Sequence, residues 1–241
     1  MRLLLFTSIL FLIFQPNLNA QKTDYYINEA YKTFDETFEA SKAIVYIDSA
    51  LTIEPNNAQL YYVRGDIQSL ENPFDGMKDF NKSLALDSSN ADAYSGIGNA
   101  HQMKGEWEEA KPYIIKAYDL KPDYWKTIER GRICDEPMEQ LEYFQKALLL
   151  EDRDEWVVQS EISDVYVEMK DYANALIHYE LAFSNPLGEF GPHVYENCGD
   201  AYLEVGKKNM ACEKWNFALQ EYAFWGEPTE TLQQKIDTHC N

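Results

Sequence analysis

GNAHQMKGEWEEAKPYIIKAYDLKP, residues 98–122, sets small residues where helices ordinarily carry larger ones. Gly98 is followed twelve positions on by Ala110, seven further by Ala117 and five further by Pro122. Residues 91–104 place Tyr94, Ile97 and His101 at helical intervals; Gly105 interrupts, and 107–120 resume with Ala110, Ile114 and Ala117 on one face. Two helices joined by so short a turn must lie antiparallel and close. A glycine on the first facing an alanine on the second permits that approach, and larger side chains fill the wider ends. Pro122 then stops the second helix and turns the chain.

The interval recurs. Gly199, Ala211 and Ala218 repeat it, as do Ser163, Ala175 and Ala182, and more loosely Tyr31, Ala43 and Ala50. Pro55 follows Ala50 as Pro122 follows Ala117, and Gly65 stands 33 positions before Gly98. A fixed period of this length means stacked units of one supersecondary type. The spacing predicts units at 24–57, 58–90, 91–124, 125–155, 156–189 and 192–225, then a closing helix at 229–238, so that residues 21–241 form one array. Unit 125–155 is degenerate, keeping Phe144 and Ala147 clearly, and reads either as a repeat with a doubtful first helix or as a hinge. Pro112 falls early in a second helix, where it would delay the start or bend it.

The set Tyr94, Ile97, Gly98, His101, Ala110, Ile114, Ala117 and Pro122 resembles a tetratricopeptide repeat. Tyr195, Cys198, Gly199, Tyr202, Ala211, Trp215 and Ala218 resemble it again. The resemblance implies an all-α, right-handed superhelical solenoid of antiparallel helix pairs with a C-terminal capping helix. It also implies a concave face lined by the first helix of each pair, and a role in binding protein or peptide. On that register the residues facing the groove include Tyr62, Asp66, Asp92, Asn99, Glu161, Asp164, Glu196, Asn197 and Asp200. Asp66, Asn99, Asp164 and Asp200 occupy one position in four repeats. Some members of the family grip a partner's terminal carboxylate with Lys, Arg and Asn here; lysine and arginine are absent from these places, so the groove is expected to take a basic or polar segment instead. The competing reading is that these acids are simply a solvated face.

Composition agrees with a scaffold and excludes several classes. The formal charge is −20, with 41 acidic against 21 basic residues, which repels nucleic acid and anionic membranes. Arg2, an apolar run over 3–14 and Ala20 have the order of a secretory signal peptide cleaved after Ala20, predicting an exported, periplasmic or extracellular protein without membrane insertion. The four histidines show no metal-ligand spacing, and no phosphate-cradling loop or nucleophile elbow appears, so neither cofactor, metal nor catalytic residue is expected. In an oxidising compartment Cys212, early in the second helix of 192–225, and Cys240, at the end of an antiparallel cap, are candidates for a disulfide. Cys198 sits at a core position. A structural subunit of an envelope assembly, using the convex face or the ends, is the alternative function; a hydrolase or metal enzyme lacks any polar cluster to support it.

Overall fold

The computed structural model describes residues 18–150, 154–186, 188, 190–226 and 228–240. Among them every regular element is an α-helix. The helices come in pairs: α1 (Leu18–Thr37) with α2 (Ala40–Ile53), α3 (Ala58–Glu71) with α4 (Met77–Leu86), α5 (Ala91–Met103) with α6 (Trp107–Leu120), α7 (Tyr124–Arg132) with α8 (Pro137–Ala147), α9 (Glu155–Glu168) with α10 (Tyr172–Phe183), and α11 (Pro192–Glu204) with α12 (Lys208–Trp225). A last helix, α13 (Glu230–His239), lies against α12. The apolar run at 3–14 lies outside the described residues, and α1 begins ahead of Ala20. α6 starts at Trp107 and continues through Pro112, so the proline neither delays nor ends it.

Local chemistry explains where the pairs begin. The Asn57 side chain accepts from the Gln59 and Leu60 amides and the Asn90 side chain from the Ala93 amide, while the Asp123 side chain accepts from the Lys126 amide. Each satisfies helix N–H groups that have no partner within their own helix. These caps stand 33 residues apart in sequence. The third of them starts α7, the first helix of the degenerate unit, which therefore forms after all.

The small residues do close the pairs, though not against alanine. A Cβ placed on Gly98 would lie 2.8 Å from Ile114 Cγ1, and one on Gly199 only 2.5 Å from Trp215 Cδ1. One on Gly131 would meet Phe144 at 2.7 Å. Each glycine is a recess for one large side chain of the second helix. Gly131 follows Gly98 by 33 positions, but Phe144 comes 13 after it where Ile114 comes 16 after Gly98. The missing three residues are taken from the end of α7, which stops one residue past its glycine.

The turns inside four pairs use a left-handed residue seven positions after the register position that Tyr31, Gly98, Ser163 and Gly199 occupy. Gly105 and Gly206 both have φ 75°, while Phe38 has φ 54° and Lys170 φ 60°. For an L side chain that conformation costs about 1–2 kcal/mol. Lys170 is exposed, so Lys170→Gly removes the strain without removing a core contact. After allowing for the extra freedom of glycine in the unfolded chain, it is expected to raise stability by about 0.5–1 kcal/mol. A denaturant midpoint that falls would refute this.

Contacts divide the chain into two compact units, Met1–Pro122 and Asp123–Asn241. In the first, Ala43, Ile47, Leu60, Val63 and Ile67 form one buried cluster and Phe80, Ala93 and Ile97 another. In the second, Ile128, Leu141, Phe144 and Val158 precede a larger cluster around Tyr179, Cys198, Tyr202 and Trp215, to which α13 adds Leu232 and Ile236. Cys212 and Cys240 are joined as a disulfide between α12 and α13, their Cα atoms 5.7 Å apart.

Candidate functional site

First helices of successive pairs touch within each unit: α1 with α3 and α3 with α5 in the first, α9 with α11 in the second. Side chains pointing away from the second helices therefore share a face. On the first unit that face carries Tyr62, Asp66 and Asp92, all half-buried, and Asn99, which is exposed. The Tyr31 hydroxyl on α1 donates to Asp66 Oδ2 at 2.7 Å. Burial raises the Asp66 carboxyl above the usual carboxylate range; the Tyr31 bond opposes this, and the nearby charge of Asp92 adds to it. Tyr62 lies beside Phe80, with ring centroids 6.1 Å apart.

On the second unit the predicted residues are brought together by bonds running from one pair to the next. Arg132, at the end of α7, holds Glu161 on α9, with Nε 3.0 Å from Oε1. Asp164 on α9 accepts from Asn197 Nδ2 on α11 at 3.0 Å and from the Tyr179 hydroxyl at 2.5 Å. Asp200 on α11 accepts from Trp215 Nε1 at 2.9 Å and from Lys235 Nζ on α13 at 2.7 Å. Lys235 also reaches Glu196 Oε1 at 2.8 Å, and Glu196 accepts from the Tyr222 hydroxyl at 3.2 Å. Burial alone would lower the Lys235 ammonium, but its bonds to Asp200 and Glu196 outweigh that and raise it. These acids are thus ties between pairs as well as members of a face.

Arg132, Tyr179 and Lys235 have no place in the sequence register, and Tyr31 stands in it only at a packing position, yet they complete the site. Arg132 was findable: it follows Gly131 as Asp200 follows Gly199. A second feature of the same unit carried no periodic signal. The loop before α11 and the C-terminal half of α12 enclose an open, aromatic-lined cleft of about 820 Å³.

Other side chains offer little chemistry. Burial pushes the Cys198 thiol up to about 12, which keeps it protonated and unreactive near neutrality. Burial likewise raises the Cys134 thiol, whose Sγ lies 3.0 Å from Arg130 Nη1. Among the described residues no group of three His, Cys, Asp or Glu is placed to hold a metal ion, and no helix is long and apolar enough to cross a membrane.

Comparison with known proteins agrees with this architecture. A family model described as a tetratricopeptide repeat matches residues 91–124. Anaphase-promoting complex subunit 3 of Schizosaccharomyces pombe is 21% identical over 204 residues, covering 83% of this chain and 30% of that protein. The chain spans less than a third of the length of the curated relatives it matches. The solved structure of PilF from Pseudomonas aeruginosa has a TM-score of 0.72 at 21% identity, covering 91% of this chain and 99% of that one. PilW, a type IV pilus biogenesis factor, has a TM-score of 0.66 at 16% identity, covering 92% of this chain and 100% of its own. Residues 91–124 match a complete tetratricopeptide repeat, the pairs at Gly131 and Gly199 use the same recessed contact, and the chain has the fold of tetratricopeptide-repeat proteins.

Proposed function

We propose that the chain is a non-catalytic scaffold that binds a basic or polar segment of a partner protein on the acidic face of its first helices. The observation that carries this reading is Lys235. Its ammonium sits 2.8 Å from Glu196 and 2.7 Å from Asp200, so carboxylates projecting from this face accept a lysine when one is presented. Asp66 and Asp92 form a corresponding acidic pair on the first unit, where their mutual repulsion favours a cation. Stacked helix pairs supply extended surfaces of this kind, and a net charge of −20 attracts a basic partner and speeds its arrival. The relatives named for a multi-subunit complex and for pilus biogenesis fit a role among other proteins. The apolar run over 3–14 and the Cys212–Cys240 bond favour work outside the cytoplasm, in the periplasm or beyond the cell.

The test compares the protein with its Asp66→Asn, Asp92→Asn variant, which keeps size and hydrogen-bonding capacity but removes two charges. Both are used to capture partners from the native envelope fraction, identified by mass spectrometry. A basic partner held by the first, released by salt and lost from the second is the expected result. Equal capture by both transfers the role to the opposite face or the ends, as in a structural subunit of an envelope assembly.

A further inference from the structure

α12 runs for 18 residues, longer than any other second helix among the pairs, and its extra turn ends at Gly226 in the left-handed conformation. The C-terminal part of α12 carries Glu221, Tyr222 and Trp225, which make one wall of the aromatic cleft. Phe190 from the preceding loop and Tyr195 from α11 contribute the other wall, and Phe217 closes onto Tyr195 with ring centroids 4.3 Å apart. The aromatic surface is not sealed in the core: Phe217 is 43% exposed and Trp225 66% exposed. Glu221 is half-buried and, among the described residues, supplies the one carboxylate of the lining; no lysine or arginine lines it.

Two facts say what such a cleft accepts. Its charge is negative in a strongly acidic chain, so the complementary occupant is a cation. The neighbouring rings already bind one: Lys214 Nζ stands 4.2 Å from the Phe183 ring centroid and 5.7 Å from that of Tyr195. Aromatic faces attract a desolvated cation through their quadrupole, and a planar guanidinium can stack on them while its edge forms paired hydrogen bonds to a carboxylate. An ammonium cannot do both. Burial and the Glu221 charge also raise the Tyr195 hydroxyl, which stays a neutral donor beside that carboxylate.

We infer that the cleft between α11 and the C-terminal extension of α12 is a receptor for an arginine side chain on an extended segment of a partner protein, with Glu221 paired to the guanidinium and Tyr195, Phe217 and Trp225 against its faces. A volume of about 820 Å³ exceeds one side chain, so residues flanking the arginine share the cleft. The inference rests on the reading that the partner is basic, and it assigns one of that partner's side chains to a place outside the acidic first-helix face.

The experiment titrates the intact protein with two capped pentapeptides, Gly-Ala-Arg-Ala-Gly and its citrulline counterpart, which keeps the shape but lacks the charge. Binding is followed by nitrogen–proton correlation NMR, with the Trp225 indole signal assigned by Trp225→Phe. The arginine peptide is expected to move the signals of Tyr195, Phe217 and Trp225, and the citrulline peptide to bind about tenfold more weakly. Glu221→Gln should weaken the arginine peptide by a similar factor and leave the citrulline peptide unchanged. Trp225→Ala, at an exposed position, should weaken both while the amide spectrum stays folded. Equal affinity for the two peptides, or no shift at the cleft, overturns the inference. Shifts confined to α3 and α5, and abolished by Asp66→Asn with Asp92→Asn, overturn it as well while leaving the acidic-face reading in place.

Discussion

Trp215→Ala is expected to cost about 3–5 kcal/mol, the range for emptying a large aromatic site in a core. Against a total stability of about 5–15 kcal/mol, that is a substantial share. Trp215 is 1% exposed, fills the recess left by Gly199, and ties α12 to α11 through the bond from Nε1 to Asp200. His239 of α13 also approaches it, with ring centroids 5.8 Å apart. The loss therefore reaches three helices at once. Urea unfolding followed by circular dichroism measures it, and Trp215→Phe separates the causes. The smaller ring keeps most of the contact but strands Asp200 with Lys235 and should cost less. Adding Gly199→Ala to Trp215→Ala places a methyl in the vacated space and should recover part of the loss, whereas Gly199→Ala alone destabilises. A cost below about 1 kcal/mol for Trp215→Ala would show that the glycine–tryptophan fit does not hold this pair together.

Cys240→Ser is expected to be the second large effect. Cys212 and Cys240 are separated by 28 residues, and releasing a loop of that length restores chain entropy worth about 3–4 kcal/mol. The cost should appear locally, because α13 is held otherwise by Leu232, Ile236 and the Lys235 bonds. Limited trypsin digestion reads that out: cleavage after Lys235 should accelerate in Cys240→Ser, and in the parent protein on reduction, while the sites at Arg64 in α3 and at Lys78 and Lys82 in α4 stay slow. If reduction leaves both the midpoint and the cleavage rate unchanged, the bond contributes nothing to holding the cap.

Much of this fold can be read from spacing alone, because a repeat writes its geometry at a fixed interval. Gly98, Ala110 and Ala117, recurring as Gly199, Ala211 and Ala218, are enough to mark antiparallel pairs. Spacing does not say which side chain enters a recess, and the recess at Gly98 receives Ile114 where an alanine had been expected. Nor does whole-unit length reveal that Asp123 and Gly131 keep the period of Asn90 and Gly98; the deletion that follows them disguises an otherwise regular pair. The candidate face was legible only as a list of acids in register. Their partners come from neighbouring pairs and from the cap, through contacts such as Asp164 with Asn197 and Asp200 with Lys235, which no single helix pattern encodes. The aromatic cleft was hidden for a different reason. It depends on a loop and on a helix overrun, features that interrupt the repeat.

The position of Lys235 has a consequence for selectivity. Any outside cation that takes Glu196 and Asp200 must first displace a lysine that belongs to the same chain. A tethered competitor acts at an effective concentration on the order of millimolar, whatever the dilution of the protein. A lone lysine or a scattered basic surface cannot win that exchange in dilute solution. A segment with several cations can, because its other contacts hold it in place while one side chain evicts Lys235. On the proposed reading, the last pair is therefore a threshold, open to clustered positive charge and closed to single ones.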